Sequence, residues 1–236
     1  MSRPEIDSPL IECHLLPAFA ANNLETVRRA FQHATPCVLR QAWLDKKEPD
    51  FAPAIVRTGW RGASLLVFAE LTDADIFSRA TGLNLRTWEL GDAFEIFLRP
   101  DGQEAYVEFQ VTPNNQRLQL RYADASAIAR ARKTGSLEHA LIHGKAFRSA
   151  TWVLPGSQRW FVYAKIPAKS VCSETTALAG SQWRFSFSRY DYTRGRKEPV
   201  ISSTSAHARP DFHSQQEWGT MRFQPQKRSM RIAEER

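Results

Sequence analysis

The sequence predicts an all-β protein, an antiparallel β-sandwich of the jelly-roll or immunoglobulin-like kind. About ten short segments alternate apolar and polar side chains, which is the period of a half-buried strand. Polar turn residues separate these segments, as a sandwich requires. The 236-residue chain, 42% hydrophobic, is long enough to bury a large core, and no internal repeat or linker divides it.

One short helix is predicted near the start of the chain. Asn22 or Asn23 can cap it, and residues 24–31 repeat apolar side chains with the 3.6-residue period of a helix. A second helical segment is predicted at 125–143, where Gly135 interrupts the pattern. This segment lies between predicted strands, so we expect a small helical insertion that packs against an edge of the sandwich.

Period-2 patterns predict the strands. One hairpin joins 54–60 to 64–71 through Arg61-Gly62, and another joins 92–98 to 104–111 through Pro100-Asp101-Gly102. Single strands are predicted at 117–122, 149–154, 159–166, 182–190, 200–205 and 218–223. We therefore expect an N-terminal extension over 1–50 that packs on the sandwich, the sandwich itself over 51–224, and a basic, flexible tail over 225–236.

Composition excludes several classes of function. The net charge of +7 is compatible with anionic partners, but the basic residues do not alternate with aromatic ones as in single-stranded nucleic-acid sites. We expect no nucleic-acid partner.

No apolar run is long enough for a membrane span, and the N-terminal residues lack a secretory pattern, so a cytoplasmic location without membrane attachment is expected. Three widely spaced cysteines suggest neither a disulfide framework nor a zinc site.

The outward-facing side chains of four predicted strands suggest a ligand surface. They combine aromatic rings with carboxylates and an amide, which is typical of a small-molecule site. Sugars suit such a surface, because their C–H faces lie on aromatic rings while their hydroxyls need polar partners. Cross-strand pairing under the helical insertion explains the same pattern equally well. The residues concerned are Glu95, Phe97, Tyr106, Glu108, Gln110, Phe161, Tyr163 and Arg184.

Three stretches give the chain a family likeness: 65–73, then 88–98 with 106–114, and then 183–189 with 202–205 and 212–223. In this order they resemble a family 9 carbohydrate-binding module, within the broader group of DOMON-like β-sandwiches. The resemblance implies non-catalytic binding of a small sugar or glycan end between aromatic side chains.

The resemblance also implies site residues. Trp88 and Phe212 match the two rings that sandwich a terminal sugar, and Glu95 matches the carboxylate of the family. Gln110 stands where sugar-binding members carry an arginine, and Arg209 lies near an expected amide. Each ring could instead cover the end or the core of the sandwich, and Glu95 could be neutralised by a neighbouring base.

Other functions remain open at this point. Glu95 and Glu108 could be the acid and base of a glycosidase, although no catalytic motif accompanies them. A basic loop at 194–197 could bind an acidic partner. One branch of the wider group binds haem through Met and His, and only Met221 lies in a predicted strand.

The family likeness also implies a structural calcium ion. Asp73 and Asp75 are the candidate ligands, although an Asp-Ala-Asp turn more often caps the backbone or faces solvent. No other cofactor is expected.

Overall fold

The computed structural model describes residues 7–174 and 177–225, and these fold into two β-sheets packed face to face. The first sheet has the order β1-β12-β10-β5-β6-β7, and β11 also pairs with β10; the second has the order β2-β3-β4-β9-β8. The strands are β1 Leu10–Cys13, β2 Cys37–Val38, β3 Ala54–Arg61, β4 Ser64–Thr72, β5 Ala93–Pro100, β6 Tyr106–Val111, β7 Arg117–Tyr122, β8 Arg148–Leu154, β9 Arg159–Pro167, β10 Gln182–Asp191, β11 Val200–Ser203 and β12 Gly219–Phe223.

The predicted fold class is confirmed. Each strand predicted from period-2 alternation exists, with ends that differ by a few residues. The hairpin β5–β6 pairs Glu95 with Gln110 and Phe97 with Glu108, so the polar side chains of the two strands stand on one face. The turn between them contains Gly102 with φ of 75°, a conformation that glycine adopts without steric cost.

Residues before position 50 contribute strands to both sheets. β1 pairs in parallel with β12, and β2 pairs with β3. β1 has four residues and β2 has two, and strands this short contain too few positions for a period-2 pattern to be recognised. The domain limits at 50 and 224 remain predictions, and the predicted tail lies, apart from its first residue, outside the described part of the chain.

Both predicted helices are present. α1 spans Leu24–Phe31, and its Asn23 side chain accepts a hydrogen bond from Thr26 N, as a capping residue should. α2 spans Ala125–Thr134 with Asp124 as its N-cap, and it ends at Gly135 in the left-handed conformation. No helix among the described residues combines the length and apolar character that a membrane crossing needs.

Three apolar clusters hold the structure together. The largest fills the space between the sheets and contains the predicted core rows, including Phe94, Ile96, Val107, Phe109 and Phe187. A second cluster lies on the outer face of the first sheet, beneath α2 and the chain between β11 and β12. A third lies on the outer face of the second sheet, beneath α1.

The second cluster shows that the outward face of β5 and β6, which was predicted to be open to a ligand, is buried. Glu95, Phe97, Tyr106, Glu108 and Gln110 are all at most 3% exposed, although they point away from the central core. The helical insertion packs over these side chains. The inward row of β5 and β6 is therefore buried between the sheets, and the outward row is buried beneath the insertion and is not exposed to solvent.

The predicted ligand surface also combined residues that lie on two different sheets. Phe161 and Tyr163 face outward from β9, where they pack under α1 in the third cluster. Phe97 and Tyr106 belong to the opposite sheet. The alternation identifies the outward row of each strand correctly, but it cannot say which sheet contains the strand.

Candidate functional site

A cavity of about 320 Å³ opens on the outer face of the first sheet. This volume is at the small end of the range for small-molecule sites, about 300–1,000 Å³. Outward side chains of β5 and β6 form its floor. Its walls come from α2, from a short 3₁₀ turn at Thr87–Glu89, and from residues 210–213.

Two carboxyl groups share one amide on the floor. Gln110 Nε2 donates to Glu95 Oε1 at 2.6 Å and to Glu108 Oε1 at 2.5 Å, while Gln110 Oε1 accepts from the Thr87 hydroxyl. Both the nitrogen and the oxygen of the Gln110 amide are therefore hydrogen-bonded within the protein. Glu95 Oε2 is buried without a hydrogen-bond partner in the described part of the chain.

Burial changes the ionisation of this pair. Desolvation, and then the nearby charge of Glu108, raise the pKa of Glu95 well above its ordinary value. Desolvation also raises the pKa of Glu108 to about 7, against the opposing effects of the Gln110 hydrogen bond and of Arg132. At neutral pH the two groups thus hold protons that exposed glutamates would have lost.

Charged residues at the rim are already paired. Arg132 of α2 donates to both carboxylate oxygens of Asp211, at 2.6 Å and 3.1 Å, and Arg86 contacts Glu89 at 3.0 Å. The first pair fastens the insertion to the loop before β12 and closes one side of the cavity. Because each rim arginine is paired with a neighbouring acid, neither one forms an ion pair with the carboxyl groups of the cavity floor.

His213 lies between the rim and the floor. Its Nδ1 shares a hydrogen bond of 2.8 Å with the Tyr106 hydroxyl, and its Nε2 lies 3.6 Å from Glu108 Oε2, beyond normal hydrogen-bond distance. Desolvation and the charge of Arg132 lower the pKa of His213 to about 3. The ring is therefore neutral near pH 7 and supplies no positive charge to Glu108.

The aromatic walls differ in how much surface they offer. Trp88 is half-buried, its backbone carbonyl accepts from the Tyr192 hydroxyl, and its ring lies 5.8 Å from the Arg86 guanidinium. Phe212 is 5% exposed and packs against Tyr190 and Trp43. Trp88 thus presents more ring to the cavity than Phe212.

Eight residues are predicted to bind the ligand: Trp88, Glu95, Tyr106, Glu108, Gln110, Arg184, Arg209 and Phe212. The structure brings five of them to this cavity, namely Trp88, Glu95, Glu108, Gln110 and Phe212. Tyr106 lies behind it and supports His213. Arg184 and Arg209 lie elsewhere. Arg184 donates to Thr220 Oγ1 and to the Trp218 carbonyl beside β12, and Arg209 is exposed on the loop.

Sequence reasoning missed several residues of the cavity. The main ones are Tyr122 of β7, Tyr190 of β10, and the Arg132–Asp211 pair. The alternation of β7 and β10 indicates that both tyrosines face outward. No sequence pattern shows that α2 folds back over this sheet and brings Arg132 to Asp211.

The residues proposed for calcium are engaged with arginines. Arg189, 1% exposed, has its guanidinium 3.1 Å from Asp73 Oδ2 and 2.8 Å from Asp191 Oδ2. Asp92, which stands within the same carboxylate cluster, accepts backbone N–H groups of Phe77 and Tyr192. The Arg189 guanidinium therefore lies against two of the three clustered carboxylates, where a calcium ion would meet its positive charge.

Asp75 is also unsuited to bind calcium. Its carboxylate accepts from the backbone and from the guanidinium of Arg194. Arg189 itself lies in β10, within the strand predicted at 182–190.

Two other predicted features are explained by local structure. In the basic loop, Arg194 pairs with Asp75, Arg196 with Asp50, and Lys197 lies 3.9 Å from Glu198. Met221 is fully buried between the sheets, so its sulfur cannot reach a ligand at the surface. Met1 and Met230 lie outside the described residues.

The fold and the cavity define a β-sandwich with a small-molecule-sized site on the outer face of one sheet. This architecture is that of family 9 carbohydrate-binding modules, so the predicted resemblance is confirmed at the level of the fold. No family model matches the sequence, and neither does any curated protein sequence.

Solved structures provide the comparison. A Bacteroides uniformis protein thought to bind carbohydrate is 17% identical, with a TM-score of 0.68 over 92% of this chain and 99% of its own. A family 9 module from Caldicellulosiruptor kristjanssonii in complex with cellotriose is 14% identical, with a TM-score of 0.61 over 97% and 100%. A glucose complex of a family 9 module from that organism is 15% identical, with a TM-score of 0.63 over 94% and 100%.

Proposed function

We propose that this protein is a non-catalytic carbohydrate-binding module whose cavity holds a small sugar or the end of a glycan. The observation that carries the proposal is the combination of the half-buried Trp88 ring with a buried polar floor in which Oε2 of Glu95 has no hydrogen-bond partner among the described residues. A sugar fits both features, because its C–H face can stack on the indole while a hydroxyl donates to the carboxyl. Structures of family 9 modules with the same fold contain bound cellotriose and bound glucose.

The size of the cavity favours one sugar ring. At about 320 Å³ it has room for a monosaccharide unit, with the rest of a longer glycan outside. The rim pair Arg132–Asp211 limits the opening on the α2 side. The partner that we propose is therefore a monosaccharide or a chain end, and not the middle of a polysaccharide.

Hydrolysis is the less favoured function. The raised pKa of Glu108, about 7, would suit a general acid. A glycosidase, however, needs two carboxyl groups that flank the scissile bond. Glu95 and Glu108 lie on adjacent strands, point from the same face, and are tied to one amide nitrogen. Both therefore approach a bound sugar from one side.

A protein-binding role for the basic loop is also less favoured. Its arginines already contact Asp75 and Asp50, so an acidic partner would have to displace these acids. Calcium is not needed either, because Arg189 supplies positive charge between Asp73 and Asp191.

Thermal shift with a panel of sugars tests the proposal. The panel contains glucose, cellobiose, cellotriose, galactose and xylose, and at least one of these should raise the melting temperature progressively, with the logarithmic dependence on concentration that mass action requires. Mannitol at the same concentrations controls for solvent effects. Equal curves for every sugar and for mannitol would contradict the proposal.

A further inference from the structure

The floor of the cavity contains two carboxyl groups and no cation to neutralise them. Glu95 and Glu108 are each 3% exposed and share a single neutral amide, that of Gln110. Among the described residues, no basic side chain lies within hydrogen-bond distance of either carboxyl.

In the described part of the chain, no neighbouring helix, strand or loop supplies a basic side chain that pairs with Glu95 or Glu108. Arg86, beside Trp88, is paired with Glu89, and Arg132 of α2 is paired with Asp211. His213 is neutral, and its Nε2 remains 3.6 Å from Glu108 Oε2. The remaining titratable groups that face the pair are Tyr106, Tyr122 and Tyr190, whose pKa values burial raises further above their ordinary value.

Each carboxyl also has one oxygen that Gln110 does not contact. Gln110 occupies the Oε1 atoms, Glu95 Oε2 has no partner in the described residues, and Glu108 Oε2 has only the distant imidazole. A buried acid without a partner is costly, whether it is ionised or has lost one of its hydrogen bonds. A ligand with a cationic donor would remove this cost from both groups at once, since charge-assisted hydrogen bonds are the stronger kind.

We propose that the cavity prefers an amino sugar, a sugar end with a free primary amine, whose ammonium group binds between Glu95 and Glu108 while its ring stacks on Trp88. This inference rests on the proposed sugar-binding function and specifies its ligand. An N-acetylated sugar has the same ring without the charge, and a neutral hexose has a hydroxyl in place of the amine. The three form a matched series.

Isothermal titration at pH 6.5 with D-glucosamine, N-acetyl-D-glucosamine and D-glucose tests the preference, with ethanolamine as the amine that lacks a sugar ring. We expect glucosamine to bind at least about 10-fold more tightly than the other three. Glucosamine binding should also release protons, seen as an enthalpy that changes with the ionisation enthalpy of the buffer, because the ammonium ionises carboxyls that were protonated.

Variants show where the preference arises. Glu95→Gln and Glu108→Gln should each reduce the ratio of glucosamine affinity to glucose affinity toward one. Glu198→Gln, in the exposed pair with Lys197, is the matched control and should leave the ratio unchanged. Circular dichroism establishes that each variant is folded.

The outcomes separate the two proposals. Glucose or N-acetylglucosamine binding as tightly as glucosamine would overturn the amino-sugar inference and leave the sugar-binding function intact. Ethanolamine binding as tightly as glucosamine would overturn the role of the ring. If none of the sugars binds, the proposed function itself fails, and the inference fails with it.

Discussion

Gln110 lies directly opposite Glu95 in the β5–β6 pair and donates its side-chain amide to the Glu95 carboxyl at 2.6 Å. The same amide nitrogen donates to Glu108, two residues away on its own strand. One neutral amide therefore bridges two buried acids.

Removing this amide should destabilise the protein. We expect Gln110→Ala to lower the free energy of unfolding by about 2–4 kcal/mol, because both carboxyls and the Thr87 hydroxyl lose a buried hydrogen bond. Urea unfolding at pH 7 measures the change. The control is Gln103→Ala, at an exposed position of the turn, which should change the free energy of unfolding by less than about 0.5 kcal/mol. Equal stabilities of the two variants would contradict the bridging role of Gln110.

Stability should fall as the pH rises through neutrality. Burial raises the pKa of Glu108 and of Asp191 to about 7 and that of Asp92 to about 8, and it raises the pKa of Glu95 as well. The folded state therefore binds more protons than the unfolded state in this range. For each such proton, the free energy of unfolding decreases by about 1.4 kcal/mol per unit of rising pH until the group ionises in the folded state.

The histidines act in the opposite direction at lower pH. Burial lowers the pKa of His207, and burial with Arg132 lowers that of His213 to about 3, so the unfolded state binds more protons below the ordinary value of 6.5. The stabilising effect of the raised acids is lost upward through pH 7 to 8, and that of the neutral histidines is lost downward from pH 6.5. Because four raised acids oppose only two histidines, the free energy of unfolding is expected to fall with rising pH from about 5 to about 8.

Melting temperatures from pH 5 to 9 check this expectation. The double variant Glu95→Gln/Glu108→Gln should have a shallower decline above pH 6.5, while Glu198→Gln, with its side chain 79% exposed, should follow the wild type. A wild-type melting temperature that rises from pH 6.5 to 8.5 would contradict the predicted protonation of the buried acids.

Calcium should have no effect on the wild type. With the Arg189 guanidinium between Asp73 and Asp191, a divalent cation would meet a fixed positive charge. We expect the melting temperature to be the same within 1 °C, about the precision of such scans, in calcium and in chelator. A calcium-dependent rise of several degrees would show that the arginine does not replace the ion.

The variant Arg189→Met is the informative comparison. It removes the charge, leaves three buried carboxylates facing one another, and should lose about 3–5 kcal/mol of stability. Added calcium should restore part of this loss in the variant alone, because the three acids then offer oxygen ligands without the guanidinium. No response to calcium in the variant would mean that the cluster cannot hold the ion in either form.

The fold was largely predictable because period-2 alternation reports burial on one face of a strand. It identified the core rows of β5, β6, β9 and β10, and Asn23 identified the start of α1. Short strands such as β2, of two residues, contain too few positions for any period. Pairing partners depend on contacts between residues far apart in sequence, so the assignment of Phe161 and Tyr163 to the wrong sheet had no local signal.

The site was predictable in part for the same reason. Glu95, Glu108 and Gln110 share a face by alternation, and the family resemblance added Trp88 and Phe212. The Arg132–Asp211 pair joins α2 to a loop 79 residues later in the chain, a tertiary contact without a sequence pattern. Arg184, which the pattern placed outward correctly, is directed to the β12 side of the sheet and not to the cavity.

Sugar binding at Trp88 is the central claim, and titration calorimetry with Trp88→Ala tests it most directly. The control is Trp152→Ala, which removes a half-buried tryptophan from the opposite sheet. For whichever sugar stabilises the wild type, the Trp88 variant should bind at least about 10-fold more weakly while it stays folded, because the stacking surface is lost. The Trp152 variant should bind as the wild type does. Unchanged affinity in Trp88→Ala would contradict the account.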